Sequence, residues 1–450
     1  MIPTHLAGHN QHPPTTHPRE NSPINDYLKI ATLNMRGRTS TVGGYQRNKW
    51  FEIYGIMNRN KIAILAIQES HLTEELANKI NSTFETKLLL VHSPLPETNN
   101  AAGVAFVFNK GMINTDKITS ETLEPGRAIM TTVPWHANKS FKILNIYAPN
   151  DTSSNEKFWE TLNAKTIANS HLKPDIILGD FNIVEDSLDR LPCHTDNPQA
   201  VAALGNLKSN LNLIDGWRRT YPDQREYSHQ QTSNASQGRI DRIYITNDLL
   251  ETADEWLIHP STIETDHWIA SAKISSPEAP LIGRGRWQIP LYLLENEEIM
   301  NDIDNKCKMA LQQINNNQYR RTSEVNPQTT LAKLKADIVA KCRARARVIH
   351  PTITNKIEKL KTRLNFINND PLTQEEDKML ESIVIKTEML ELERILFESN
   401  KIYAKTKNLV HAETICRDWI RSNRAKKPRD TVFSILNQWL QPNNYNCSCE

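Results

Sequence analysis

The chain has 450 residues, 38% of them hydrophobic and 24% charged, with a mean hydropathy of −0.57 and a formal net charge of +2. This length supports two or three domains with real cores, and the longest apolar runs, such as Ile62 to Ile67, are far too short to cross a bilayer. The charge is unevenly spread: residues 1–280 carry 26 Lys and Arg against 31 Asp and Glu, whereas residues 281–450 carry 28 against 21. An acidic front and a basic back exclude a uniformly basic nucleic-acid binder, but not a basic extension beside an acidic site.

In chain order, residues 1–25 hold five prolines and four histidines (His5, His9, His12, His17) without periodicity, and read as a disordered tail. This stretch lacks the apolar segment of a secretory signal, and the six cysteines form neither a C-x-x-C pair nor a disulfide-like framework. A reducing, intracellular setting is therefore expected. Across residues 26–278, short apolar runs alternate with polar, helix-like stretches. Strands are predicted at 28–34, 61–68, 86–92, 103–109, 128–133, 141–147, 175–182, 240–246 and 268–274. Helices are predicted at 43–60, 72–82, 154–170 and 198–210, and helices between buried strands imply a layered α/β domain. Pro and Gly then punctuate a linker at 279–288. A basic helical extension follows over 289–440, with helices predicted at 289–314, 330–349, 355–367 and 373–410, and a flexible tail over 441–450. The last two helices flank a short turn at 368–371 and carry Leu and Ile at 3–4 spacing, which predicts an antiparallel helical hairpin.

Polar residues recur directly at the carboxyl ends of these apolar strands. Asn34 ends IATL, Glu69 follows IAILAIQ, Tyr147 follows KILNI, and Asp180 and Asn182 follow DIILG. In an open α/β sheet that edge is where sites assemble, so four strands deliver two carboxylates, two amides and a phenol to one rim. Alone, each is bland, since an Asp after a strand is usually a turn residue or helix cap. Late in the domain, Asp241 opens a strand and Thr265-Asp266-His267 precedes another. A carboxylate that orients a histidine fixes its tautomer and supports its cation. Oxygen donors suit a hard ion, Mg²⁺ or Mn²⁺, and the ensemble is what metal-assisted attack of water on a phosphodiester needs.

The motifs LNMRG (33–37), IQES (67–70), IYAPN (146–150), GDFN (179–182), RID (239–241) and TDH (265–267) together resemble the endonuclease/exonuclease/phosphatase superfamily, the fold of DNase I, exonuclease III and the apurinic endonucleases. The resemblance implies a four-layer α/β/β/α sandwich followed by the all-α extension. It implies Glu69 as principal metal ligand with Asn34 beside it and Asp266 on the metal side. It further implies Tyr147, Asn182 and His267 on the scissile phosphate, Asp180 on the attacking water, and Asp241 holding His267. One position departs: where the apurinic endonucleases carry a carboxylate two residues after the first Asn, this chain has Arg36. The segments 286–300 and 417–437 resemble those flanking the endonuclease and preceding the reverse transcriptase of long interspersed, non-LTR retrotransposons. No Asp-Asp pair of a polymerase occurs in the chain, so the expectation is a stand-alone or truncated endonuclease derived from such an element.

The implied activity is Mg²⁺-dependent nicking of DNA with 3′-hydroxyl and 5′-phosphate products, and a nuclear location follows from that substrate alone. Nucleic-acid contacts are expected from Arg36, from Tyr227 and His229 in the loop before Asp241, and from Lys341, Arg343, Arg345 and Arg347, a run that reads equally as a solvated helix face. RNA is a second partner open to that basic run, no membrane partner is expected, and the oligomeric state is not readable. Two rivals stand beside this reading: a phosphatase or lipid phosphodiesterase on the same fold, and a non-catalytic remnant that binds nucleic acid. Against the first, Trp268 follows His267 where the phosphatases usually carry Pro; against the second, every mapped position holds the expected residue type.

Overall fold

The computed structural model describes residues 24–411, apart from residues 26, 38, 43–44, 96–101, 136–138, 232–234, 276–280, 283–288, 290–292, 294–296, 317–320, 324–325 and 350. For residues 24–25, 39–48, 281–282, 346–352 and 397–411 it describes the backbone alone. The expected N-terminal tail up to residue 23, most of the linker and the tail at 441–450 lie outside the described residues.

Long apolar runs become strands because both of their faces are covered. Twelve strands form two six-stranded sheets. In chain order they are β1 (Tyr27–Asn34), β2 (Ile62–Gln68), β3 (Leu88–Ser93), β4 (Val104–Asn109), β5 (Thr119–Glu124) and β6 (Ala128–Pro134). Then come β7 (Ser140–Tyr147), β8 (Ile176–Asp180), β9 (Leu213–Asp215), β10 (Asp241–Thr246), β11 (Asp254–His259) and β12 (Ile269–Ser275). The first sheet has the order β11-β12-β1-β2-β4-β3, and the second β9-β10-β8-β7-β6-β5. Only β1 with β2 and β7 with β8 run parallel, and the remaining pairs are antiparallel.

The sheets pack face to face, with Ile30, Ile64, Ala66 and Phe106 of one meeting Ile143, Ile176, Leu178 and Ile243 of the other in one core. Helices α1 (Lys49–Arg59) and α2 (Glu74–Thr83) cover the outer face of the first sheet through Trp50, Ile53, Met57 and Ile80. Helices α3 (Thr152–Ala168) and α4 (Pro198–Leu211) cover the second through Phe158, Trp159, Leu204 and Leu207. The result is the four-layer α/β/β/α sandwich. Asn145 bridges the sheets, its Nδ2 donating to the carbonyls of Ile67 and Ala105 while its Oδ1 accepts from Gln68.

Beyond the sandwich lie α5 (Glu297–Asn316), α6 (Pro327–Ile349), α7 (Pro351–Asn369) and α8 (Glu375–His411). Leu293, Ile299 and Cys342 make a small core of their own beside α5 and α6. The hairpin of α7 and α8 instead joins the central core through Ile357, Leu364, Ile367, Ile385 and Met389. Each such burial contributes about 1.5–3 kcal/mol before ordering entropy. Polar ties fix its seat: Arg59 pairs with Glu393 at 3.4 Å, and the backbone N–H groups of Cys193 and Arg225 donate to Glu375 and Asn369 at 3.0 Å each.

One sequence expectation needs correction, and two strands were missed. The helix predicted from residue 43 begins at Lys49, and the stretch before it pairs Thr39–Val42 with Tyr45–Asn48 as a two-stranded ribbon. Of the helix predicted from residue 289, residues 290–292 and 294–296 lie outside the described residues, and the helix is described from Glu297. The polar strand β5 and the edge strand β11 carried no apolar signal, because an edge strand faces solvent.

Candidate active site

The strand directions explain why six separated motifs meet. The parallel pairs β1/β2 and β7/β8 end at one rim, and the antiparallel neighbours β10 and β12 begin there. Tyr147 lies opposite Asp180 in register, and Asp180 opposite Asp241. Gly179 lets β7 and β8 approach this closely: its φ is +147°, and a Cβ there would stand 2.0 Å from the Ile146 carbonyl oxygen.

Past the strand ends the backbone turns sharply, with Arg36, Glu69 and Asn182 at φ of +48°, +49° and +53°. Two of these turns are built alike. Asn34 Oδ1 accepts from the Arg36 N–H at 3.0 Å, and Asp180 Oδ1 accepts from the Asn182 N–H at 3.1 Å. The motif residues thus shape their own loops, and three of the nine left-handed non-glycine residues among the described residues stand at this rim.

Asn34 joins the sheets chemically, its Nδ2 donating to Glu69 Oε1 and to Asp180 Oδ2, both at 2.9 Å. The Tyr147 hydroxyl donates to the same Glu69 oxygen at 3.0 Å, while Glu69 Oε2 has no protein partner among the described residues. Asn182 Nδ2 donates to the Ala148 carbonyl at 2.8 Å. His267 Nδ1 meets Asp241 Oδ2 at 2.8 Å, and its Nε2 faces Asp180 Oδ2 at 4.0 Å and Asp266 Oδ1 at 3.9 Å. Asp180, Asp241 and His267 are buried, at 1%, 1% and 6% exposure.

Burial and the neighbouring Asp241 carboxylate push Asp180 up to about 7, against the pull of His267 and its hydrogen bonds. Burial works against a charged His267, yet Asp241, with Asp180 and Asp266 behind it, raises the imidazole to about 9. Asp266 moves the other way: although burial opposes it, the His229 ring and the cationic His267 and Arg36 hold it below the usual carboxylate range. Burial and the Glu69 charge raise the Tyr147 phenol, which stays a proton donor. The site therefore pairs a carboxylate that exchanges protons near neutrality with an imidazolium that persists well above it, two groups held apart by environment.

An open cleft of about 440 Å³ fronts these groups, lined by Arg36, Glu69, Asp180, Asn182, His229, Asp266 and His267 among the residues singled out in sequence, and by Asn150, Gln231 and Ile240 besides. Arg36 reaches Asp266 at 2.9 Å, and His229 Nε2 lies 3.8 Å from the same carboxylate. The donor atoms of His229, Asp266 and His267 lie within 4.8 Å of one another, as do those of Asp180, Asp241 and His267, a spacing within reach of one metal ion, although a cationic His267 offers it no lone pair.

Not every expected contact faces the cleft. Tyr227 is 1% exposed with its hydroxyl buried, so the expectation that it touches nucleic acid is corrected: a side chain with no surface cannot meet a polymer. Lys341, Arg343 and Arg345 ride on α6 and do not line the cleft, and Arg345 pairs with Glu298 at 3.0 Å. Of Arg347 only the helical backbone is described.

Sequence reasoning missed the supports. Ser228 Oγ donates to Asp241 Oδ2 at 2.7 Å and accepts from the Asp241 N–H at 2.9 Å, holding the carboxylate that holds His267. Lys49, buried, donates to the carbonyls of Met35 and Glu264 at 2.7 and 2.8 Å, tying the loop of Arg36 to that of Asp266. Arg239 grips Asp189 through two hydrogen bonds at 2.8 and 2.7 Å and Asp215 through a third at 2.8 Å, anchoring the start of β10. The Arg127 guanidinium lies 4.7 Å from the Tyr147 ring centre. A lone Ser or Lys has no motif to announce it, and in the RID motif it is Asp241, not Arg239, that the chemistry singles out.

This fold and this rim fit a hydrolase of phosphate esters. The chain belongs to the endonuclease/exonuclease/phosphatase family, whose model matches residues 31–267 and which is the DNase I-like family expected from the motifs. It is 27% identical over 280 residues, 61% of this chain, to the transposon TX1 uncharacterized 149 kDa protein of Xenopus laevis, and spans about 20% of that protein's length. Among solved structures it is similar to the AP endonuclease LMAP of Leishmania major (16% identity, 56% of this chain, 89% of that chain, TM-score 0.47). It is similar also to the endonuclease domain of TRAS1, a telomere-specific non-LTR retrotransposon (14% identity, 56% and 99%, TM-score 0.41). Among the described residues, no helix is long and apolar enough to cross a membrane.

Proposed function

We propose that the chain is a divalent-metal-dependent DNA endonuclease of retrotransposon origin, hydrolysing phosphodiester bonds to leave 3′-hydroxyl and 5′-phosphate ends. The observation that carries this is the convergence of Glu69, Asp180, Asn182, Asp266 and His267 on one cleft, with Asp241 holding the His267 Nδ1 at 2.8 Å. Asp180 accepts the proton of the attacking water near neutral pH, the range in which a general base works best. His267, kept cationic by Asp241, opposes the charge that builds on the phosphate oxygens. Asn182 donates to the same phosphate, and Tyr147 reaches it when its hydroxyl turns from Glu69.

The donor set fits a hard cation. Glu69 has one oxygen held by Asn34 and Tyr147 and the other without a protein partner among the described residues, and Asp266, held ionised, lines the same cleft. Glu69 and Asp266, with Asn34 orienting Glu69, would hold the ion; His229, the nearby nitrogen donor, favours Mn²⁺ as the alternative to Mg²⁺. When bound, such an ion neutralises phosphate charge and polarises the scissile bond. Arg36 and His229 line the cleft and meet the DNA backbone, while the α6 basic residues add a secondary contact open to DNA or RNA. A DNA substrate makes the nucleus the proposed location, and likeness to a transposon protein supports the origin.

Labelled duplex DNA incubated with Mg²⁺ tests this through the ends it leaves. Nicks extended directly by a polymerase support the reading. Intact duplex together with turnover of a small phosphate monoester favours the phosphatase reading, and gel retardation without cleavage favours the binding remnant.

A further inference from the structure

Behind the catalytic loops, the α7–α8 hairpin presents a lysine to the core. Lys386 on α8 is 4% exposed; its Nζ donates to Gln237 Oε1 at 2.5 Å and lies 4.7 Å from the Trp268 ring centre. One turn earlier, buried Ser382 accepts from Gln237 Nε2 at 2.6 Å. Both ends of the Gln237 amide are thus held by one helix face. Gln237 is itself central: its strand pairs with Arg190–Leu191 on one side and His229–Gln230 on the other.

From there two short routes lead to the catalytic pair. Gly238, next along the chain, accepts from the Ser228 N–H at 3.0 Å, and Ser228 Oγ holds Asp241. Trp268, next to His267, donates its N–H to the Ser228 carbonyl at 2.6 Å. Lys386 therefore touches both residues whose neighbours frame the Asp241–His267 hydrogen bond.

Packing alone does not account for a lysine here. A methionine would fill the space over Trp268 without the cost of burying an amine, which is several kcal/mol for an isolated charge. Burial pulls Lys386 down to about 7, with the Glu226 charge opposing.

We propose that Lys386 is a positioning residue: with Ser382 it fixes Gln237 and Trp268, so that the helical extension sets the geometry of Asp241 and His267. The proposal rests on the phosphodiesterase reading of the cleft and adds the hairpin to its working parts.

The test uses the full chain with Lys386→Met, which keeps the stem over Trp268, and Ser382→Ala, a smaller cut on the same tie. Amide hydrogen exchange over residues 227–241, thermal midpoint, and kcat and KM for duplex cleavage are measured together. The expected result is exchange about tenfold faster in that segment and a midpoint within about 3 °C of wild type. In the same variants kcat falls by about tenfold to a hundredfold at unchanged KM, the signature of a misplaced catalytic group. Unchanged exchange, or faster exchange with unchanged kcat, overturns the proposal. If Lys386→Met does not fold, Ser382→Ala decides by the same criteria. If the wild type cleaves no phosphodiester, it is the catalytic reading that fails, and exchange alone then decides whether the hairpin orders the segment.

Discussion

Replacing Asp241 by Asn removes one charge from the centre of the site while keeping its shape. In the wild type, burial opposes the imidazolium of His267, and the Asp241 carboxylate at 2.8 Å is the largest influence that raises it to about 9. Without that charge only Asp180 and Asp266, at 4.0 and 3.9 Å, remain against burial. The imidazole then falls to its ordinary value of about 6.5 or below. At about pH 7.5 the wild type holds about 97% of His267 protonated and the variant about 9% or less. Protonation alone therefore lowers the single-turnover cleavage rate about tenfold at that pH, and the alkaline limb of the rate profile moves from about 9 to about 6.5 or lower. Asp180, relieved of a like charge, drops too, so the acid limb moves in the same direction.

The stability change carries a definite sign. His267 has a folded value above its unfolded one, so its contribution is full below about pH 6.5 and is lost as the pH rises through about 9. Asp241→Asn should therefore destabilise most in acid and least above about pH 9. Single-turnover rates and thermal melts across about pH 5.5 to 9.5 read both effects. An alkaline limb that stays near 9 in the variant refutes the reasoning, since it would mean that Asp241 does not sustain the cation.

Ser228→Ala removes the hydroxyl that both donates to Asp241 and accepts its N–H, and should cost about 1–3 kcal/mol in denaturant unfolding while lowering kcat more than it raises KM. Glu69→Gln keeps the hydrogen bonds to Asn34 and Tyr147 within reach but removes the charge, so the Mg²⁺ concentration for half-maximal activity should rise at least about tenfold. Unchanged metal dependence in that titration speaks against Glu69 as a ligand. Gly179→Ala puts a methyl 2.0 Å from the Ile146 carbonyl oxygen and should lower stability by more than about 3 kcal/mol, measured by the shift in urea midpoint.

The sandwich was legible because its strands are buried on both faces, one by helices and one by the opposing sheet. Runs such as IAILAIQ and GVAFVFN therefore stand out as continuous apolar stretches. The edges were not. TSETLE of β5 has its first four residues exposed, and polar alternation at an edge looks like loop. The ribbon at 39–48 was hidden by a helix-like sequence directly after it.

The rim residues were readable by position, since each follows an apolar run, and ten of the fifteen residues singled out in sequence meet at or behind one cleft. Their supports were not readable, because what defines them lies far along the chain. Ser228 acts on a residue 13 positions away, and Gln237 on one 149 away. Tyr227 misled for the converse reason: its place in a loop before Asp241 says nothing about which way its ring turns, and it turns inward.

Conversion of supercoiled plasmid to the open circle tests the central claim most directly, with the whole purified chain and Mg²⁺ and with EDTA and His267→Ala in parallel. Relaxation by the wild type, abolished by EDTA and reduced at least about hundredfold in His267→Ala, is the predicted result. Relaxation that persists in EDTA, or that His267→Ala sustains at the wild-type rate, contradicts it.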